Sequence, residues 1–307
     1  MSASSNLGVV TVTYNSTRHL GGFIESLLLN KESISFVVFV DNNSSDDILS
    51  IIQKLDGHIT YSYIRNSKNI GYSAAVNQGI TLLREKELKY ILVTNNDLTI
   101  SVGGVDVLVR DMDIIHADVI GIPTTNDKKN YVLSNSYDVK TGDIAHLVLS
   151  KDDLLIKLKK ESVEKTTYVQ GGVVLFNETF FRKVGLYDPF LFFGGDELDF
   201  LFRVLSFKET VACYISLGAW DLFDHHTHHD GRFKLLKAKM MIQGVVYVLF
   251  KHGFPFWTGI FWNKIGALLR DLGKRSFRRH CVLVLLLLRA IIFSLAHIVR
   301  ENLNKSR

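Results

Sequence analysis

The sequence predicts an α/β fold, a mostly parallel sheet with helices on both faces. Two observations carry this. Apolar runs rich in Val, Ile and Phe recur along the first hundred residues, as strands buried on both faces require. Between them lie segments whose apolar positions repeat at helical spacing, and strands alternating with such helices imply parallel pairing.

Val9 to Thr13 reads as the first strand, ending at Tyr14-Asn15-Ser16. Arg18 to Leu29 places Leu20, Phe23, Ile24, Leu27 and Leu28 on one helical face. Ser35 to Val40 is a second strand, closed by Asp41-Asn42-Asn43-Ser44-Ser45-Asp46, which supplies a loop and a cap for a helix over Asp47 to Leu55. Ile59 to Ile64 alternates as a third strand, Ser73 to Arg84 is a helix, and Tyr90 to Thr94 is a fourth strand ending at Asn95-Asn96-Asp97. Beyond residue 100 the pattern predicts a helix over Val105 to Ile115 and a strand over Val119 to Pro123. A meander without clear register follows over Tyr131 to Leu149. Tyr168 to Phe176 reads as a strand with a glycine pair, Gly171-Gly172, where the backbone approaches a ligand. Short helices follow over Glu178 to Val184 and Glu197 to Leu205, the latter opening on Asp196-Glu197-Leu198-Asp199. From Arg232 only helical patterns appear, so the chain divides into residues 1–231 and a helical region, 232–307.

Charge separates the two parts. Residues 1–231 carry 21 Lys and Arg against 29 Asp and Glu, a net −8, and residues 232–307 carry 15 against 2, a net +13. Such asymmetry points to an anionic partner for the tail. Its basic residues interleave with Phe256, Trp257, Phe261, Trp262 and the run Cys281 to Leu288, too apolar for a solvated nucleic-acid arm. An anionic membrane surface is the favoured partner, with no nucleic acid. Arg289 would sit near the middle of any span from Cys281 to Val299, at a cost of at least about 2.5 kcal/mol. In-plane helices, with Lys274, Arg275, Arg278 and Arg279 on headgroups, are therefore preferred. A homodimer interface or a covering helix is the bland rival. Two isolated cysteines, Cys213 and Cys281, offer neither a disulfide framework nor zinc spacing, and Met1 to Gly8 lacks the pattern of a signal peptide. These features predict a cytoplasmic protein, peripheral on the inner face of the cell membrane.

The chemistry resides in the ordered motifs. Val10 to Asn15, Val40 to Asp46, Asn69-Ile70-Gly71-Tyr72-Ser73-Ala74-Ala75-Val76-Asn77-Gln78-Gly79, Asn95-Asn96-Asp97 and Gly171 to Arg203 occur in the order and spacing of family 2 glycosyltransferases. Over residues 8–230 the chain resembles that family, and within it the bacterial rhamnosyltransferase-like branch. The resemblance implies a GT-A, Rossmann-like fold that binds a nucleotide-sugar. It assigns Thr13, Asn15 and Asp41 to the base and ribose, with Asp41 accepting from the base's ring N–H. Asn69, Gly71 and Asn77 would line the nucleotide's floor, Asn95 and Asn96 would adjoin the nucleotide-sugar, and Gly171 and Gly172 the acceptor or sugar pocket. Asp97 matches the last residue of a metal-binding DxD motif whose first acid is Asn95 here. Mg²⁺ or Mn²⁺ held by one or two carboxylates neutralises a departing diphosphate.

Relatives usually carry Glu then Asp where this chain has Asp196-Glu197. Alignment on Asp199 and Arg203 puts Glu197 at the catalytic base, with Asp196 the alternative. Of the histidines in Asp224 to Asp230, His226 is the candidate to complete the metal site; a solvated loop is the bland reading. Asp199 and Arg203 read as a helix-surface ion pair worth about 0.2–0.5 kcal/mol. In isolation, each polar cluster reads equally well as a turn or a helix cap. Together they predict an inverting, metal-dependent hexosyl or rhamnosyl transferase. It would act on dTDP-rhamnose or a UDP-hexose and a lipid-linked or growing surface polysaccharide. The alternatives are a noncatalytic sugar-nucleotide-binding or assembly protein on the same fold, and more weakly a nucleotidyltransferase.

Overall fold

The computed structural model describes residues 6–125, 131–137, 144–167, 169, 171–207, 211–225, 234–253, 291, 292, 294 and 297. Its first half follows the predicted alternation: β1 (Leu7–Thr13), α1 (Thr17–Leu29), β2 (Phe36–Asp41), α2 (Ile48–Ile52), β3 (Tyr61–Arg65), α3 (Tyr72–Glu85) and β4 (Tyr90–Thr94). Asp47 caps α2 by accepting from the Ser50 amide, and the predicted helix tightens to a 3₁₀ turn over Gln53–Leu55. The second half comprises β5 (Leu98–Ile100), α4 (Gly104–Ile115), β6 (Val119–Gly121), β7 (Thr124–Thr125), β8 (Tyr131–Tyr137) and β9 (Ile144–Leu149). It continues with α5 (Lys151–Leu158), β10 (Val163–Lys165), β11 (Val173–Asn177), α6 (Glu178–Lys183), α7 (Asp196–Ser206), β12 (Cys213–Ser216), β13 (Phe223–His225) and α8 (Lys234–Lys251).

Eight strands form one sheet in the order β10-β12-β6-β11-β4-β1-β2-β3. The pairs β3-β2, β2-β1, β1-β4 and β6-β12 are parallel; β11 runs against both β4 and β6, and β10 runs against β12. The sheet is therefore mixed, with β11 inserted as a reversed strand beside β4. The predicted strand over Tyr168 to Phe176 shortens to β11 because Gly172 has a φ of 112°, outside extended geometry. The meander resolves into a separate antiparallel sheet of β7, β8 and β9.

Alternate side chains of the central strands feed two cores. One contains Phe23, Leu27, Val37, Phe39, Leu92 and Leu175, the other Val38, Val76, Ile80, Val93, Val174 and Phe176. Gly79 lets α3 lie directly on β1, where a Cβ would meet Val10 Cγ1 at 2.5 Å. A third cluster joins Leu198, Leu201 and Phe202 of α7 to Val245, Val246 and Leu249 of α8, across the predicted division near residue 231. None of the described helices is long and apolar enough to cross a membrane. The in-plane helices expected with Lys274, Arg275, Arg278 and Arg279 lie outside the described residues.

Candidate functional site

Parallel pairing brings the C-terminal ends of β1, β2 and β4 together, and the motif residues with them. Thr13 stands opposite Asp41 in the register of β1 and β2. Asp41 is fully buried and surrounded by donors. The Thr13 hydroxyl donates to Oδ1 at 3.2 Å, the Ser44 amide at 3.1 Å and the Ser44 hydroxyl at 2.5 Å. The Tyr63 hydroxyl donates to Oδ2 at 2.9 Å, and Arg65 Nη1 lies 3.8 Å from the same oxygen. Burial and this bond raise the Tyr63 phenol above its ordinary range. A base ring N–H would reach Oδ2 only if Tyr63 turned away. Asn15, held at a φ of 52°, accepts from the Ser45 amide at 2.8 Å and so ties the turn after β1 to the loop after β2. Tyr14 beside it is half exposed, an aromatic surface at the strand end that motif reasoning passed over.

The loop into α3 is equally constrained. Asn69 Oδ1 accepts from the Gly71 amide at 2.9 Å, and the Asn42 amide group donates to the Gly71 carbonyl at 3.0 Å. Gly71 has a φ of 90°, and a Cβ there would lie 2.8 Å from Phe192 Cα, so only glycine fits. Asn77, expected on the nucleotide's floor, spends its side-chain amide within the protein. Its Nδ2 donates to the Tyr187 carbonyl at 2.8 Å and its Oδ1 accepts from the Tyr187 amide at 3.0 Å, so in this geometry its amide is a strut between α3 and the loop before α7.

At the end of β4, the Asn95 amide donates to the Gly172 carbonyl at 3.0 Å, and Asn96 Nδ2 donates to the Val12 carbonyl at 2.6 Å. These bonds fix the backbone on either side and leave Asp97 beside the gap. Asp97 Oδ1 is buried and has no hydrogen-bond partner among the described residues. A buried, unpaired carboxylate oxygen is costly unless something binds it, and that vacant acceptor suits a divalent cation. Among the described residues no group of three or more His, Cys, Asp or Glu side chains could hold a metal. One protein carboxylate is nonetheless enough for an ion that takes its other ligands from phosphates and water. His226 lies outside the described residues; the strand before it, β13, places His225 opposite Leu98, the residue after Asp97.

The second acidic cluster opens α7. Glu197 Oε1 accepts from the Gly171 amide at 2.5 Å, and a Cβ on Gly171 would overlap that oxygen. Asp196 opens α7 and is pushed up to about 7, first by burial and then by the charge of Glu197 beside it, with Asp199 adding a smaller push. Tyr72 is likewise raised well beyond its ordinary range by burial and by the charges of Asp196, Glu197 and Asp97. The three predicted acids thus surround one phenol. Asp196 and Glu197, with Tyr72, Asn95, Gly171 and Gly172, form the polar end of a cavity of about 340 Å³; Asp97 is not among its lining residues.

Asp199 behaves differently from the exposed pair expected of it. It is fully buried, and it bonds Arg203 Nε at 2.8 Å, Lys251 Nζ at 2.7 Å and His252 Nε2 at 2.9 Å. Lys251 also reaches Asp188 at 2.7 Å, and the Tyr247 hydroxyl donates to Asp188 at 2.9 Å. These contacts fasten α8 to α7. Sequence periodicity could not find them, because Lys251 and His252 lie about fifty residues from their partner.

Comparison with known proteins agrees with this geometry. The model of glycosyl transferase family 2 matches residues 8–184. Chondroitin synthase of Pasteurella multocida (strain Pm70) is 24% identical over 227 residues, covering 65% of this chain and 23% of that protein. A crystal structure of GalNAc-T7 with UDP, GalNAc and Mn²⁺ superposes with a TM-score of 0.61 at 16% identity, over 79% of this chain and 47% of that one. Staphylococcus aureus TarS gives 0.50 at 15% identity, over 84% of this chain and 43% of that one. The chain therefore spans about a quarter of the curated relative and less than half of either structure. At such identities the superpositions establish the fold, a mixed α/β arrangement of the GT-A type. With more than half of the chain matched by one family model, the chain belongs to glycosyl transferase family 2.

Proposed function

We propose that the protein is an inverting glycosyltransferase that moves one sugar from a nucleotide-sugar to an acceptor hydroxyl. What supports this reading is that the Asp97 carboxylate and the Asp196-Glu197 pair all lie close enough to the Tyr72 phenol to act on it, with the pair lining the cavity beside it. In the reaction the acceptor oxygen attacks the anomeric carbon as its proton passes to the carboxylate pair. The bond from that carbon to the diphosphate breaks, and the nucleoside diphosphate leaves. A carboxyl group held near 7 is matched to taking a proton at neutral pH. The charge of Glu197, whose Oε1 accepts from the Gly171 amide, helps raise Asp196, so the two act as a unit with the motif's base position filled by Glu197. Asp97 would hold the Mg²⁺ or Mn²⁺ ion, which when bound neutralises charge on the departing diphosphate.

UDP as the donor nucleotide draws support from the UDP and Mn²⁺ of the GalNAc-T7 structure, while dTDP-rhamnose rests on motif resemblance alone. A lipid-linked or growing polysaccharide acceptor fits the basic, apolar tail at the membrane surface. A thermal-shift panel of nucleotide-sugars with and without Mn²⁺ tests the reading, because ligands that bind the native state raise Tm. Asp97→Asn is expected to abolish the Mn²⁺-dependent part of the shift. Retention of anomeric configuration in the product, or an unaltered Mn²⁺ effect in Asp97→Asn, would contradict it.

A further inference from the structure

The cavity does not stop at the carboxylates. It continues between α7 and the sheet, and the two faces of the same strands show it. Leu92, Leu175 and Ile120 point to the other core and are sealed completely. Val93, Val174, Phe176, Val119 and Cys213, on the α7 side, keep 2% to 6% exposure and line the cavity.

Strand register gives its length. Asn95 is bonded to Gly172 at the polar end, Val93 pairs with Val174 two residues further in, and Phe176 pairs with Val119, which pairs with Cys213. From Gly172 to Phe176 is four residues, about 13 Å of strand. On the opposite wall, Glu197, Phe200, Leu201 and Val204 share one helical face, and Asp196 to Val204 is about 12 Å of helix. The two walls independently describe a channel of the same length.

Its chemistry changes along that length. Asp196, Glu197, Asn95 and the Gly171 amide cluster at the entrance, whereas Val93, Val174, Phe176, Val119 and Val204 form the interior. Apart from Thr167, the Tyr187 phenol and the Cys213 thiol, the interior offers nothing to bond a sugar hydroxyl. A sugar there would bury unpaired polar groups. The carboxylates at the entrance disfavour a phosphate head group and suit a neutral hydroxyl. Protein interiors rarely contain voids larger than a water molecule, and about 340 Å³ is the size of a small-ligand site.

We propose that this channel is an acceptor site for an alcohol bearing a medium-length apolar chain, its hydroxyl at Asp196 and Glu197 and its chain between α7 and the sheet. The acceptor role rests on the transferase reading above; the binding of the chain does not. Calorimetric titration of the full chain with 1-octanol, with glycerol as the chainless control, tests it. Saturable octanol binding without glycerol binding is expected. Val204→Phe and Val119→Phe fill the far end and touch neither carboxylate. Each is expected to weaken octanol binding at least about tenfold, as removal of pocket volume does, while keeping the thermal shift with UDP and Mn²⁺. Cys213→Ala lengthens the channel and is expected to shift preference from 1-octanol to 1-decanol, which tests the idea even if a filled variant does not fold. No saturable octanol binding to the wild type, or unchanged affinity in folded filled variants, would overturn the channel. Octanol binding without any response to nucleotide-sugars would support the channel and sink the transferase reading.

Discussion

Asp196 and Asp199 stand three residues apart on α7, neighbours on its surface, yet their surroundings pull them in opposite directions. Burial alone would raise both. At Asp199 the hydrogen bond from His252 and the charges of Arg203 and Lys251 overcome burial and hold the carboxyl down to about 2. At Asp196 no cation among the described residues opposes burial, and Glu197 adds a like charge, so the group rises to about 7. Asp199 is neutralised and fastens the helix to α8; Asp196 lines the cavity without such partners among the described residues. Partners provided and partners withheld, rather than residue type, separate the lowered carboxyl from the raised one.

The largest expected effect comes from breaking the Asp196-Glu197 pair. Asp196→Asn and Glu197→Gln are each expected to lower kcat by about 10² to 10⁴-fold, the range for loss of general-base assistance. Wild-type circular dichroism would confirm that the fold is kept. Near-wild-type turnover in both variants would contradict the assignment. Because the base must be unprotonated, the wild-type rate is expected to rise with pH through about 7. Asp199→Asn removes a negative neighbour and is expected to move that limb to lower pH, whereas a purely structural role would reduce the amplitude and leave the limb in place.

The anchoring carboxylate comes next. Asp199→Ala is expected to destabilise the fold by about 3 kcal/mol in urea titrations, the low end for breaking a buried ion pair because its partners keep some solvent contact. The sign with pH follows from a folded value of about 2 against 3.8 for the free group. The stabilisation is present above about pH 4 and is lost as pH falls toward 2. The gap between wild type and Asp199→Ala is therefore expected to narrow over that window. A gap that instead widened in acid would show that the cage does not hold an ionised Asp199.

How much of this was legible in the sequence follows the range of the interactions. The strands of the nucleotide half stand close to their predicted bounds because Val37 to Val40 are buried on both faces and carry an unbroken apolar run. The site motifs were legible for the same reason: Asp41, Gly71 and Asp97 follow directly from strand or helix ends. β5, β12 and β13, at three to four residues, are too short to show a period. The reversal of β11 and the role of Asn77 depend on partners distant in the chain, respectively β4 and the Tyr187 backbone. Asp199 was misread as exposed because its distant partners, Lys251 and His252, lie on α8.

Contact between α8 and the loop before α7 supplies a smaller test. A Cβ on Gly244 would overlap the Gly194 carbonyl oxygen, which is backbone and cannot swing aside. Gly244→Ala is expected to cost about 1–3 kcal/mol by overpacking, with a larger loss in kcat than in UDP binding, since the displaced segment carries Asp196. Equal losses in both would mean that α8 supports the domain without positioning the base.

The smallest effect tests a second buried acid, Asp41, which like Asp199 is fully buried but takes its nearest donors from hydroxyls and an amide, with the Arg65 guanidinium at 3.8 Å. Tyr63→Phe removes the donor at 2.9 Å from Oδ2 and leaves Thr13 and Ser44 on Oδ1. The loss is expected to be about 1 kcal/mol, typical of one hydrogen bond. If Asp41 reads the base, a ring N–H can take the vacated position, so UDP should restore what the substitution removes. The UDP-induced rise in Tm is then expected to be larger in Tyr63→Phe than in the wild type. A smaller rise would mean that Tyr63 itself contacts the nucleotide and that Asp41 serves only to hold it in place.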